Sequence, residues 1–250
     1  MKLLVIVLCL LSERFLVHVS SHHRFSWFQN YWRMIGQRLS NKESPAFPWI
    51  ALLVIVAPAA LVAWGVLHLF SGWVFGFVGL VFNIAIFYYC LGPGNPFYPV
   101  RREQKHHDIP QSVGDYFAQV NGQLFAVIFW YIALGPVGTL IYRLISLCQA
   151  EEIVHKEAAL ITSVLDWIPA KLTSLLYLLV GNFQAGFKHF AKFLFAAPQE
   201  NNTMLSVCGL SAVGNSDEAE FLMPQAEIIV EHAVVVLLVL LALFTMASWL

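Results

Sequence analysis

Long apolar runs constrain this chain more than any other feature. The stretches Pro48 to Phe70 and Gly72 to Leu91 contain no Asp, Glu, Lys or Arg. Each is about as long as a helix must be to cross the hydrocarbon core of a bilayer. Of the 250 residues, 59% are hydrophobic and only 12% are charged, whereas a soluble domain carries about 25% charged residues. The sequence therefore predicts an all-α, polytopic membrane protein.

Five or six membrane segments are predicted within one integral membrane domain covering residues 1–250. The candidate segments are 3–19, 48–70, 72–91, 123–142, 160–181 and 227–250. Ser71 and Gly72 leave almost no loop between the second and third segments, which predicts a tight helical hairpin. The pair Gly135-Pro136 breaks the fourth segment, because proline cannot continue the hydrogen-bonding pattern of a helix.

The first apolar run ends in charged residues. Glu13 and Arg14 interrupt it, and no A-x-A-like cleavage site follows. A retained helix with a polar notch is therefore favoured over a cleaved signal peptide. Residues 22–44 then alternate basic and aromatic side chains at helical spacing, a pattern typical of an amphipathic helix lying in the membrane interface.

The distribution of Lys and Arg predicts the orientation. The loops 20–47, 92–122 and 182–226 hold nine of these residues, and the opposite side holds three. Because positively charged loops remain in the cytoplasm, the three loops are expected to be cytoplasmic. The chain is thus predicted to be a multi-pass protein of the cell inner membrane.

The sequence offers little sign of catalysis. There is no G-x-S-x-G motif, and the four cysteines form no C-x-x-C pair and have no His at zinc-ligand spacing. No catalytic residue, metal or cofactor is therefore predicted, and a non-enzymatic role is favoured. The net charge of −1 gives no reason to expect nucleic acid as a partner. The expected partner is the lipid bilayer, and the sequence identifies no protein partner.

The segment LITSVLDWIPAKLTSLLYLLVG, residues 160–181, carries polar residues at membrane depth. At 100° per residue, Thr162, Asp166, Thr173 and Tyr177 share one stripe, while Lys171 projects from another side. A carboxylate facing lipid costs several kcal/mol, so the stripe should face protein or a water-filled cavity. Pro169 is expected to open the helix beside Asp166.

Two interpretations of these polar residues are open. One is a binding site for an anionic or amphipathic small ligand, such as a headgroup or phosphate, in which Asp166 is joined by Arg143 and by Glu13 or Arg14. The other is a structural ion-pair network that fixes helix packing. Lys171 is expected to serve separately, at an interface or on a lipid phosphate. The candidate ligand-binding residues are Asp166, Arg143, Glu13, Arg14, Lys171, Trp167 and Pro169.

Two blocks of the sequence resemble known families. FWYIALGPVGTLIYRLIS, residues 129–146, precedes LDWIPAKLTSLLYLLVG, residues 165–181. A gapped G-P-G-Y-R block followed by W-I-P-A-(K/R)-L-T is similar to the motifs shared by the AmpE family and the CobD/CbiB family of adenosylcobinamide-phosphate synthases. The N-terminal run that ends in Glu13-Arg14 also resembles the start of AmpE proteins.

Departures from the synthase pattern favour the AmpE side of this resemblance. The chain lacks a D-x-x-x-G-D-P-like opening, and Asp166 stands where the synthase branch often has Asn. The AmpE resemblance implies an inner-membrane sensor or modulator with a signalling role in β-lactamase induction and envelope stress. The alternative is a membrane synthase of the CobD/CbiB type, which forms an amide bond in cobalamin biosynthesis.

Overall fold

The computed structural model describes residues 2–16, 28, 31–32, 47–70, 77–91, 109–214 and 222–247. Every regular element in these ranges is helical, which confirms the predicted all-α class. The α-helices with bounds in these ranges are α1 (Lys2–Leu16), α2 (Phe47–Phe70), α3 (Phe77–Cys90), α4 (Ile109–Val120), α5 (Ala126–Cys148), α6 (His155–Leu165), α7 (Trp167–Val180), α8 (Phe183–Phe193), α9 (Asn201–Val213) and α10 (Leu222–Ala247). A π-helical turn, Asn121–Phe125, joins α4 to α5, and a 3₁₀ turn, Pro198–Glu200, precedes α9.

The apolar helices confirm a helical membrane protein. Three helical stretches of the described chain are long and apolar enough to cross a bilayer, namely Phe47–Leu69, Ser112–Cys148 and Leu222–Ala247. Helices α6 and α7 meet at a bend of 53° and together meet the same criterion. Shorter apolar helices occupy Lys2–Ser12 and Phe77–Cys90. These elements lie at the positions of the six predicted segments.

Some element boundaries differ from the prediction. The fourth segment was placed at residues 123–142, but the helix already begins at Ile109 and continues through the π-turn to Cys148. Much of the predicted loop 182–226 is also helical, in α8 and α9. Helices α4 and α8 are amphipathic and α9 is only 13 residues long, so none of them forms a long apolar run in the sequence. The hairpin at Ser71-Gly72 lies outside the described residues.

Only three residues of the predicted interfacial helix at 22–44 are described. Phe28 is buried, and the Tyr31 hydroxyl donates a 3.3 Å hydrogen bond to the Ile55 carbonyl of α2.

The chain packs into two compact units, each made from two separate pieces of sequence. Unit 1 comprises Met1–Pro93 and Val127–Thr162, and unit 2 comprises Gly94–Ala126 and Ser163–Leu250.

Within unit 1, polar contacts satisfy the break in α5. Gly135 has non-helical dihedrals (φ 76°, ψ −166°), as the pair Gly135-Pro136 predicted. Pro136 has no N–H to offer the carbonyl of Ile132, four residues earlier. The Lys2 ammonium donates to that carbonyl over 2.8 Å, and the Thr139 hydroxyl donates to the carbonyl of Gly135 over 2.9 Å. The carbonyls of Ile132 and Gly135 therefore have side-chain partners at the break, which suits backbone groups at membrane depth.

Within unit 2, α9 is the central packing element and contacts α4, α7 and α8. Gly209 of α9 allows a close approach to α4, because a Cβ built there would overlap the ring of Phe117. The Phe117 ring also packs on Tyr177, with 4.8 Å between centroids, and Tyr177 meets Phe125 edge-on at 5.7 Å. This aromatic cluster joins α4, the π-turn and α7 into one core.

Candidate functional site

The predicted break beside Asp166 is present in the structure. Helix α6 ends at Leu165 and α7 begins at Trp167, so Asp166 occupies the bend. Pro169 is the third residue of α7, where a missing N–H costs nothing because the first-turn N–H groups have no helical acceptor. The Ala170 N–H donates to the Asp166 carbonyl over 2.8 Å, so helical bonding resumes at once. The side chain of Asp166 does not cap α7.

The polar stripe of α7 faces protein, as its position predicted. Thr173 and Tyr177 are buried, and so is Ala170 between them and Asp166. The Thr173 hydroxyl donates to Oδ1 of Asn121 over 2.9 Å. The Tyr177 hydroxyl donates to the carbonyl of Phe117 over 3.3 Å. Both bonds tie α7 to α4 and the π-turn, so this part of the stripe holds the fold of unit 2 together.

Lys171 lies apart from that stripe, as predicted. Its Nζ stands 3.7 Å from the centroid of the Trp167 ring, a cation–π contact, and 3.4 Å from the Trp167 carbonyl oxygen. The indole N–H of Trp167 donates to the carbonyl of Ala196 over 3.0 Å. Trp167 thus anchors the segment after α8 through one edge and carries an ammonium group on its face. The predicted reach of Lys171 toward a lipid phosphate stays a prediction.

Arg143 is buried in α5 and belongs to unit 1. Its Nε donates a 2.6 Å hydrogen bond to the carbonyl of Cys90, the last residue of α3. Carbonyls at the C-terminus of a helix lack helical partners and carry a partial negative charge, so a guanidinium stabilises that end. This interaction gives Arg143 a packing role in unit 1.

The predicted proximity of Arg143 to Asp166 stays a prediction, since the two residues belong to different units. Glu13 and Arg14 fall within α1, but their side chains lie outside the described part of the chain. The contribution of either residue to a polar site therefore also stays a prediction. Among the described residues, no group of three or more His, Cys, Asp or Glu side chains is arranged to hold a metal ion.

Sequence analysis missed Asn121 as the partner of the stripe. Asn121 is buried at the first position of the π-turn, directly before Gly122 and Gln123. These three polar or small residues lie within a run that is otherwise helical. Their change of residue type was the sequence signal that could have indicated the turn and Asn121. π-turns inside α-helices often occur at functional positions. The π-turn positions the amide oxygen of Asn121, which accepts the hydrogen bond from the Thr173 hydroxyl.

The comparisons with known proteins give one partial similarity. No protein-family model and no solved structure matches the chain. A curated protein of Chromobacterium violaceum, "Cobalamin biosynthesis protein CobD", is 36% identical over 73 residues, which cover 26% of this chain and 23% of that protein. The chain thus matches less than a quarter of that relative's length. This similarity supports the cobalamin-pathway part of the resemblance, whereas the AmpE part rests only on the residues quoted above.

Proposed function

We propose that the chain is a non-catalytic sensor or modulator of the bacterial inner membrane, of the AmpE type, with a role in β-lactamase induction and envelope stress. One observation supports a non-catalytic role above others. Three described polar side chains of the two motif blocks contact the protein's own helices: Arg143 the Cys90 carbonyl, Thr173 the Asn121 side chain, and Lys171 the Trp167 ring.

Such contacts suit a scaffold better than a catalytic centre. A catalytic group must point at the position of the reacting atoms. Arg143 and Thr173 are buried and lie within 3 Å of protein acceptors, and a buried polar group bonded in this way fixes helix packing. The departures of the sequence from the synthase pattern, Asp166 above all, agree with this proposal.

The proposed modulator would sense its ligand at the bend between α6 and α7. The bend and the first turns of α7 contain Asp166, Trp167, Pro169 and Lys171. The apolar side chain of Ile168, among them, is 48% exposed. A cation on an indole face beside exposed apolar surface suits an anionic, amphipathic molecule. Arg143, Glu13 and Arg14 remain proposed members of this site.

A membrane synthase of the CobD type is the second candidate, because the curated CobD protein of Chromobacterium violaceum shares 36% identity over the matched segment. Such an enzyme would condense an amino alcohol or its phosphate with an amphipathic acid. On this alternative, the same bend would bind the phosphate of the substrate.

Deleting the gene in its native host and complementing a synthase-deficient strain would separate the two candidates. For the modulator, the deletion should change β-lactamase induction by a β-lactam, and expression of the chain should not restore cobalamin-dependent growth to a strain that lacks its own synthase. Restored growth would replace the modulator with the synthase. Unchanged induction together with no rescue would reject both.

A further inference from the structure

Helix α8 and the segment after it carry positive charge without acidic residues. Between Asn182 and Gln199 the sequence contains Lys188, His189 and Lys192, and no Asp or Glu. Both lysines are exposed. Exposed cations on a helix attract anions, and the attraction is greatest where the anions are concentrated, as on a membrane surface.

The helix is fixed on unit 2 through one face. Gly186 and Phe190 are buried, and a Cβ added to Gly186 would overlap Leu178 of α7. At the start of the helix, the Asn182 side chain accepts a 3.1 Å hydrogen bond from the Ala185 N–H, and the Asn182 N–H donates to the Ala212 carbonyl over 3.0 Å. The remaining faces of α8 are therefore held in a defined orientation.

Those remaining faces are exposed and divide into two kinds. Phe183 and Phe187 are 41% and 48% exposed, and their rings stack with 5.1 Å between centroids. At 100° per residue these rings lie next to the buried face, and Lys188 and Lys192 lie farther round. Beyond the helix, Phe195 is 88% exposed. An aromatic flank beside a basic face is the arrangement of a helix that lies in a membrane interface.

Contacts near both of its ends lay α8 alongside α7. Gly186 packs on Leu178 near the C-terminus of α7. The Trp167 indole, at the N-terminus of α7, donates to the Ala196 carbonyl after the end of α8. Helix α8 therefore runs antiparallel to α7 along the surface of unit 2.

We propose that α8 docks on anionic phospholipid headgroups. Phe183, Phe187 and Phe195 enter the boundary between headgroups and acyl chains, and Lys188 and Lys192 pair with lipid phosphates. The occupant is a lipid surface because the exposed aromatic rings need an apolar medium and the neighbouring cations need a dense array of anions. This inference is independent of the signalling or synthase role proposed above.

A fluorescent reporter on the full-length protein tests the proposal. Gln184 is exposed on α8, and the four native cysteines are buried, so Gln184→Cys can be labelled selectively with an environment-sensitive nitrobenzoxadiazole dye. The labelled protein is reconstituted in vesicles of phosphatidylcholine alone or mixed with phosphatidylglycerol. Phosphatidylglycerol should shift the emission to the blue and protect the dye from reduction by aqueous dithionite.

Two variants test whether the response of the dye to phosphatidylglycerol depends on the lysines of α8. Lys188→Gln with Lys192→Gln should abolish the response to phosphatidylglycerol, and the exposed Lys156→Gln on α6 should leave it unchanged. Equal emission in both vesicle types would overturn the proposal. A blue shift in phosphatidylcholine alone that grows with protein density would also overturn it, because a second copy of the chain would then cover α8.

Discussion

The Thr173 hydroxyl donates to the Asn121 side chain over 2.9 Å, and both residues are buried. The bond spans 52 positions of sequence and joins α7 to the π-turn. Apolar side chains can slide past one another at small cost, but a buried polar pair is satisfied in only one arrangement. The register of α7 against the π-turn therefore depends on this pair.

Replacing Thr173 by Val should destabilise the protein. Valine has a similar shape but leaves Oδ1 of Asn121 buried without its hydroxyl donor, at a cost of about 1–3 kcal/mol. Thermal denaturation in detergent would detect this as a lower Tm. Thr162→Val is the matched control, because Thr162 is buried but bonds only to the Ala158 carbonyl of its own helix. Equal losses in the two variants would contradict a special role for the Asn121 pair.

Replacing Arg143 by Gln should lower the amount of folded protein in membranes. The change removes a buried, charge-assisted hydrogen bond to the Cys90 carbonyl, worth about 1.5–3 kcal/mol. Quantitative immunoblotting of membrane fractions measures the level. A normal level would show that the C-terminal end of α3 does not need this guanidinium.

The same measurement separates the two interpretations of Asp166. If Asp166 and Arg143 form a structural ion pair, Asp166→Asn should also lower the level, and the double variant should lose less than the two single variants lose together. If they form a ligand site, Asp166→Asn should accumulate normally but lose the induction phenotype. A single Asp166→Asn variant that is both abundant and fully active would reject both interpretations.

Replacing Gly209 by Ala should also be destabilising, because the new methyl group would overlap the Phe117 ring. Overpacking of this kind costs about 1–3 kcal/mol. Gly65→Ala in α2 offers the opposite case, since nothing lies within 4 Å of a Cβ there. Alanine favours a helix over glycine by about 1 kcal/mol, so Gly65→Ala should be neutral or stabilising. A Tm unchanged by Gly209→Ala would mean that α4 and α9 can separate freely.

Cys208 should resist alkylation in the native protein. Burial raises the pKa of its thiol to about 11, although the Ser174 hydroxyl beside it acts in the opposite direction. At pH 8 about one thousandth of the Cys208 side chain is then thiolate, the reactive form. Iodoacetamide labelling read by peptide mass spectrometry should be slow at pH 8, rise about tenfold per pH unit toward pH 11, and become fast on unfolding. Rapid labelling of native Cys208 at pH 8 would show that α9 is open to solvent.

Features of the fold that depend on local chemistry were predictable from the sequence. Proline and glycine act on the residues next to them, so the breaks at Gly135 and beside Asp166 could be placed correctly. The start of α4 at Ile109 could not, because that helix is stabilised by packing on α9 and not by a long apolar run. A helix that depends on such packing can be predicted only when the helix it packs against is known.

The same distinction applies to the candidate site. Helical periodicity predicted that Thr173 and Tyr177 face protein, because spacing alone determines which residues share a stripe. Periodicity contains no information about the opposing surface, so Asn121 and the carbonyl of Phe117 could not be identified as partners. The contact of Arg143 with Cys90 was missed for the same reason, since it joins positions 53 residues apart.

The interleaving of the two units has a consequence for biosynthesis. Each unit needs a piece of sequence from both sides of a piece of the other, and a ribosome delivers these pieces in order. Unit 1 cannot be complete until Thr162 has been made. By then the first piece of unit 2, Gly94–Ala126, has been synthesised, but its second piece, Ser163–Leu250, has not. Neither unit can finish folding before synthesis of the other has begun, which departs from the usual sequence of one domain after another. A nascent chain in which Thr162 has just emerged from the ribosome would therefore contain all the sequence of unit 1 and an α4 that still lacks α9.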